Sequence, residues 1–128
     1  MTLWHVGVVR SLRESALFTS VQLSGGKVRA YLSETRFLDI HFDPGSHSYS
    51  YALIDLNLPY PGDKRIFGWD DYPHPGVVAL ADLPGAPHHF QERLPDGKWH
   101  FSESAFRGQV EQEIVEVLIV VSQYIRRA

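Results

Sequence analysis

A chain of 128 residues with 44% hydrophobic and 21% charged side chains has the composition of one folded domain, with enough apolar content for its own core. It contains no cysteine, which excludes disulfide scaffolds, thiolate zinc sites and cysteine nucleophiles. A net charge of -3 argues against a non-specific nucleic-acid binder. The N-terminal residues lack a signal-peptide pattern, and the longest apolar run, 117–121, is far short of the roughly 20 residues of a membrane span, so a cytoplasmic protein with no membrane contact is expected.

Residues 3–18 carry Val6, Val9, Leu12, Ala16 and Leu17 at helical spacing, with Gly7 as a weak point. A strand then runs from Phe18 to Leu23, and Ser24-Gly25-Gly26 turns the chain. Residues 27–32 alternate, with Val28, Ala30 and Leu32 opposed to Lys27, Arg29 and Tyr31. Residues 36–42 alternate again, and Asp43-Pro44-Gly45-Ser46 reads as a hairpin loop. In 49–56, Ala52, Ile54 and Leu56 face one side and Tyr49, Tyr51 and Leu53 the other.

Pro59-Tyr60-Pro61-Gly62-Asp63 breaks the pattern before a further strand at 64–69. Residues 70–87 hold four prolines and two glycines and read as a long loop, and long loops are more often functional or disordered than mere connections. Pro95-Asp96-Gly97 joins strands at 88–94 and 98–101. In the last segment Val110, Ile114, Val117, Leu118, Val121 and Ile125 form a helical stripe, with Glu111, Glu113 and Glu116 at its start and Arg126-Arg127 at its end, as the helix dipole prefers. Val115, Ile119 and Val120 widen that stripe, so this helix is either sandwiched or covered by a partner. Short turns between successive strands predict an α+β fold: an antiparallel meander of about five to six strands, with N- and C-terminal helices packed on one face, as a single domain over 1–128.

Three features carry chemical potential. Trp69-Asp70-Asp71-Tyr72-Pro73-His74-Pro75 sets carboxylates and an imidazole at the mouth of a strand, where prolines stiffen the backbone around His74; a turn capped by Asp70 or Asp71 is the plainer reading. In Pro87-His88-His89-Phe90-Gln91-Glu92-Arg93, alternation puts His88, Phe90 and Glu92 on one face and His89, Gln91 and Arg93 on the other. With Phe90 pointing to the core, His89 is the exposed imidazole and His88 a structural one. Neutral-pH imidazoles suit acid–base work. The third feature is a sheet face of Lys27, Arg29, Tyr31, Phe37, Asp39, His41, Tyr49 and Tyr51, whose basic and aromatic side chains suit stacking of single-stranded bases or, equally, an ordinary solvated face. Asp70 and His74 with His88 or His89 also make a conceivable ligand set for a divalent metal such as zinc or nickel, although the proposed chemistry needs no cofactor.

The segments Trp69-Asp70-Asp71, Pro73-His74 and Pro87-His88-His89 resemble the TumE-like family, small proteins encoded beside a helix-turn-helix partner in bacterial toxin–antitoxin pairs. The strand layout and terminal helix are similar too. That family commonly carries Asn where Asp71 stands, a second His where Pro75 stands, and a further His where Gln91 stands. The resemblance implies a toxin component with a helix-turn-helix antitoxin as partner; it supplies no reaction. The histidines, an arginine and the aromatic-basic sheet together suggest a ribonuclease-like reaction on RNA. In it His74 and His89 would act as base and acid, Asp70 would orient an imidazole, and Arg93 or Arg29 would steady the phosphoryl oxygens. Arg29, Tyr31, Tyr51 and Trp69 would bind substrate. The alternative is a catalytically silent interaction module, or a metal-binding protein of the same fold, whose apolar C-terminal helix buries against a second copy or a helical partner; in either case a homodimer is expected.

Overall fold

The computed structural model describes residues 3–127. In chain order the elements are α1 (Trp4–Glu14), β1 (Ser20–Ser24), β2 (Lys27–Tyr31), β3 (Arg36–Asp43), β4 (Ser48–Asp55), β5 (Arg65–Asp70), α2 (Val78–Ala81), β6 (His89–Arg93), β7 (Trp99–Glu103) and α3 (Val110–Arg127). The seven strands form one sheet in sequence order, each antiparallel to the next. This is the expected meander, drawn out to seven strands because each short alternating run, including the brief β1, pairs with its neighbour.

Both terminal helices lie on one face of that sheet. Val8 and Leu12 of α1 and Ile114, Val117 and Val121 of α3 bury against Val28, Ala30, Leu38, Ile40, Leu53 and Phe67. The tyrosines of β4 join this core: Tyr49 and Tyr51 are 1% and 0% exposed. Both faces of β4 read as apolar in sequence, and the larger side chains take the helix side. Tyr49 and Tyr51 therefore leave the open face on which the sequence placed them.

The opposite face follows a different plan. The chain between β5 and β6, residues 71–88, folds over β5–β7, and its single turn α2 lies against β7 with Leu80 buried beneath it. The expected loop at 70–87 is thus a cover with one helical turn in it. Toward β2 and β3 the same sheet face stays open and carries Lys27, Arg29, Tyr31 and His41. No helix among the described residues is long and apolar enough to cross a membrane.

Candidate functional site

Strand register decides which side chains meet. Tyr51, Trp69 and Phe90 stand opposite one another across β4, β5 and β6, and all three point into the helix-covered core. The adjacent row is Ser50, Asp70 and His89, which must face the other way. Gln91 and Phe101, paired across β6 and β7, share that second face. His74 reaches the same place from the covering segment. Its ring centroid lies 5.2 Å from that of His89 and 5.9 Å from that of Phe101.

Asp70 is the centre of the group. Its Oδ1 lies 3.4 Å from His89 Nε2 and 4.0 Å from His74 Nε2. The same oxygen accepts the Tyr72 N–H at 2.9 Å, while Oδ2 accepts a hydrogen bond from Arg65 Nη1 at 2.9 Å. His89 is fully buried. Its Nδ1 bonds the Pro87 carbonyl at 2.8 Å, and a carbonyl only accepts, so Nδ1 carries the proton. Its Nε2 lies 2.8 Å from the Gln91 side-chain oxygen Oε1; with Nδ1 protonated, a neutral ring accepts there only if the Gln91 amide turns to present its NH2. His74 differs: its Nε2 is buried and has no hydrogen-bond partner. Burial holds the His74 imidazole below its ordinary pKa, against the pull of Asp70. It therefore stands neutral at pH 7, with a lone pair available.

The backbone is bent to deliver His74. Its φ is +44°, in the left-handed region that a non-glycine residue occupies at a cost of about 1–2 kcal/mol. Pro73 and Pro75 flank it and restrict the chain on both sides. Beneath the centre, Gly68 lets β4 and β5 approach closely, since a Cβ there would sit 2.6 Å from the Tyr51 carbonyl oxygen.

Two proline-flanked stretches thus deliver one imidazole each to Asp70, as the sequence suggested. Other expectations need correction. His89 is not the exposed imidazole, because residues 71–88 close over it; the group is a covered cluster rather than an open pocket. His88 lies on the opposite face and cannot join a metal set with His89. The Tyr49 hydroxyl donates to the Phe106 carbonyl at 3.0 Å, so His88 Nδ1 donates to Tyr49 Oη at 2.9 Å, with the rings stacked. Burial pushes the His88 pKa down as well. Asp71 is a structural tie, accepting from the Ser48 hydroxyl at 2.8 Å and the Tyr49 N–H at 3.4 Å.

Arg93 lies at the far end of β6, donating to the carbonyls of Gly97 and Asp63 and stacking over Trp99 at 3.9 Å. It staples the β6–β7 hairpin and does not reach Asp70. Trp69 is 7% exposed and packs against Phe67, Phe90 and Phe106, so it offers no surface to a substrate. Tyr51 likewise serves the core, donating to Glu113 Oε1 at 2.6 Å. Burial and that carboxylate drive its pKa far above the ordinary tyrosine value. Arg29 and Tyr31 remain on the open part of the sheet. Arg29 bonds Asp39 at 3.0 Å and lies over the Phe37 ring, and Lys27 shares the same carboxylate at 3.2 Å.

The guanidinium at the centre is Arg65, which the sequence reading passed over. Strict alternation puts it with Phe67 and Trp69 on the core side. The register between β4 and β5 shifts, however: Leu53 pairs with Phe67 and Ile54 with Arg65, leaving Ile66 as the extra residue of a bulge. The bulge turns Arg65 onto the face of Asp70, where it also bonds Asp63 Oδ2 at 2.7 Å through Nη2. Asp63-x-Arg65 was the available signal, a carboxylate two residues from a cation at a strand entrance. Gln91 was missed as a contributor for a simpler reason: only its pairing with His89 at i, i+2 on one strand face marks it.

No protein-family model matches the chain, and no curated protein or solved structure is significantly similar to it. The functional reading therefore rests on the geometry above and on the motif residues Trp69 to His74 and Pro87 to His89.

Proposed function

We propose that the chain is the toxin component of a bacterial toxin–antitoxin pair, that it cleaves RNA at the Asp70–His74–His89 centre, and that a helix-turn-helix antitoxin restrains it. The observation that carries the reading is the convergence of His74 and His89, fifteen positions apart, on one carboxylate that Arg65 holds in place. Structural histidines usually anchor their own neighbourhood. Two that leave separate segments to meet at an aspartate, one of them with an unpartnered nitrogen, have the arrangement of a reaction centre.

The open sheet supplies an approach for the substrate. Lys27, His41, Ser50 and Asp70 pair successively across β2 to β5 and so lie in one row on one face. Lys27 in that row and Arg29 in another row of the same face share the single carboxylate of Asp39, which leaves one positive charge in excess among the three. Tyr31 adds ring surface beside it, backed by the buried Phe37 ring. A phosphodiester chain lying along this track would end against His74, the most exposed member of the centre. Paired-imidazole acid–base catalysis fits less well, because His89 is buried and both its ring nitrogens are engaged.

The test is induction of the chain without its partner, with growth and total RNA followed over time. Growth arrest with RNA cleavage, lost in His74→Ala, supports the reading. Intact RNA under the wild-type chain, or equal cleavage by His74→Ala, contradicts it.

A second reading has its own support. Val115 and Ile119 of α3 are each 53% exposed, and Val6 of α1 is 44% exposed. These apolar side chains suit a protein seat, for the antitoxin or a second copy, with or without catalysis. Light scattering at micromolar concentration separates the dimer from the monomer.

A further inference from the structure

We infer that Asp70, His74 and His89 form a three-ligand site for a divalent cation of the zinc class. The nitrogen and oxygen donors of these three residues all lie within 4.8 Å of one another. Zinc bonds of about 2.0–2.1 Å place neighbouring donors of a tetrahedron about 3.3 Å apart. Asp70 Oδ1 and His89 Nε2 already stand at 3.4 Å; His74 Nε2, at 4.0 Å from the same oxygen, has to close on it by about 0.7 Å, and the two imidazoles, within 4.8 Å, close on each other by up to about 1.5 Å.

The surroundings match a metal site in three respects. First, ligating histidines usually donate their other ring N–H to a carbonyl or carboxylate, which fixes the tautomer and aims the lone pair. His89 does this through Nδ1 to the Pro87 carbonyl, leaving the Nε2 lone pair facing two oxygens, Asp70 Oδ1 at 3.4 Å and Gln91 Oε1 at 2.8 Å, that a cation between them would bridge. Second, the carboxylate is oriented from behind: Arg65 holds Oδ2, so Oδ1 faces the two imidazoles. Third, His74 Nε2 is a buried polar atom with no hydrogen-bond partner, and an orphaned buried polar group costs about 1–3 kcal/mol. A cluster built only for hydrogen bonding would close that gap. A cation closes it while binding Asp70 and His89 as well.

The donor set selects the ion. Two imidazoles and one carboxylate suit zinc, nickel or cobalt; magnesium and calcium prefer oxygen donors. Three protein ligands leave a fourth position, as in catalytic rather than structural zinc sites. It opens past His74, whose side chain is 25% exposed, beside the exposed Tyr72 ring. Gln91, only 1% exposed, meets His89 Nε2 and would release it on binding, its amide then able to bond a water or substrate oxygen at the fourth position. A role for that position in cutting a phosphodiester rests on the function proposed above; occupancy by the ion does not.

The test is calorimetric titration of zinc chloride into the full chain after chelator treatment, with native mass spectrometry for stoichiometry and parallel titrations with nickel and magnesium. One zinc per chain is expected, with magnesium silent. His74→Ala should weaken zinc by about 100-fold or more with an unchanged far-UV circular dichroism spectrum, and Asp70→Asn should weaken it as well. His47→Ala, an exposed histidine of the β3–β4 hairpin, should bind as the wild type does. No saturable binding, or binding that His74→Ala leaves intact, overturns the site; in that case a water or nothing occupies the gap. RNA cleavage is scored separately. Zinc bound without cleavage keeps the site and removes the toxin reading. Cleavage by chelator-treated protein at the wild-type rate keeps the toxin reading and removes the metal from its mechanism.

Discussion

The two faces of the sheet solve the same problem, the burial of polar groups, in opposite ways. On the helix side the buried polar groups among the described residues have partners. Tyr51 bonds Glu113, whose two oxygens also accept the Arg107 and Gly108 N–H groups at 2.7 and 3.2 Å, and Tyr49 joins His88 to the Phe106 carbonyl. On the loop side Asp70 and His89 are as deeply buried, yet His74 presents a nitrogen with nothing bonded to it and a backbone in the left-handed region. The first arrangement is what a fold needs. The second costs stability, which marks it as a place kept for another purpose.

Substitutions can break or sharpen this contrast. Ile114→Ala on the helix side, at a fully buried position, should cost about 2–5 kcal/mol in denaturant unfolding. A smaller loss there would mean that α3 is less firmly seated than its burial indicates. Glu113→Ala strips the acceptor from three donors and should cost about 2–3 kcal/mol, with Glu113→Gln closer to the wild type. His74→Gly should move the other way, raising stability by up to about 1 kcal/mol by relieving the positive φ, while abolishing zinc binding and RNA cleavage. Paired stability and zinc titrations on that one variant check both halves of the contrast. Arg29→Ala, on the open sheet, should change stability by less than about 1 kcal/mol. It should weaken RNA binding mainly at low salt, as filter binding across a salt series would reveal.

The division between faces also explains what the sequence could disclose. Period-two alternation and the Asp43-Pro44-Gly45 and Pro95-Asp96-Gly97 turns are local signals, and the meander follows from them. The side taken by β4 is not local: Tyr49-Tyr51-Leu53 and Ala52-Ile54 are both apolar enough to face a core, and volume decides between them. The bulge at Ile66 is equally silent, so Arg65 was passed over and Arg93, which shares a strand face with His89, took its place. His74, His89 and Asp70 were legible because proline, histidine and aspartate stood out in type. The burial of His89 was not, because the cover over it comes from residues 71–88, a stretch without periodicity.

The most direct test is a zinc-soaked crystal examined at the zinc absorption edge. The account predicts one anomalous peak bonded to Asp70 Oδ1, His74 Nε2 and His89 Nε2 at about 2.0–2.2 Å. A structure in which His74 turns away from Asp70, with no peak between the two imidazoles, would contradict it.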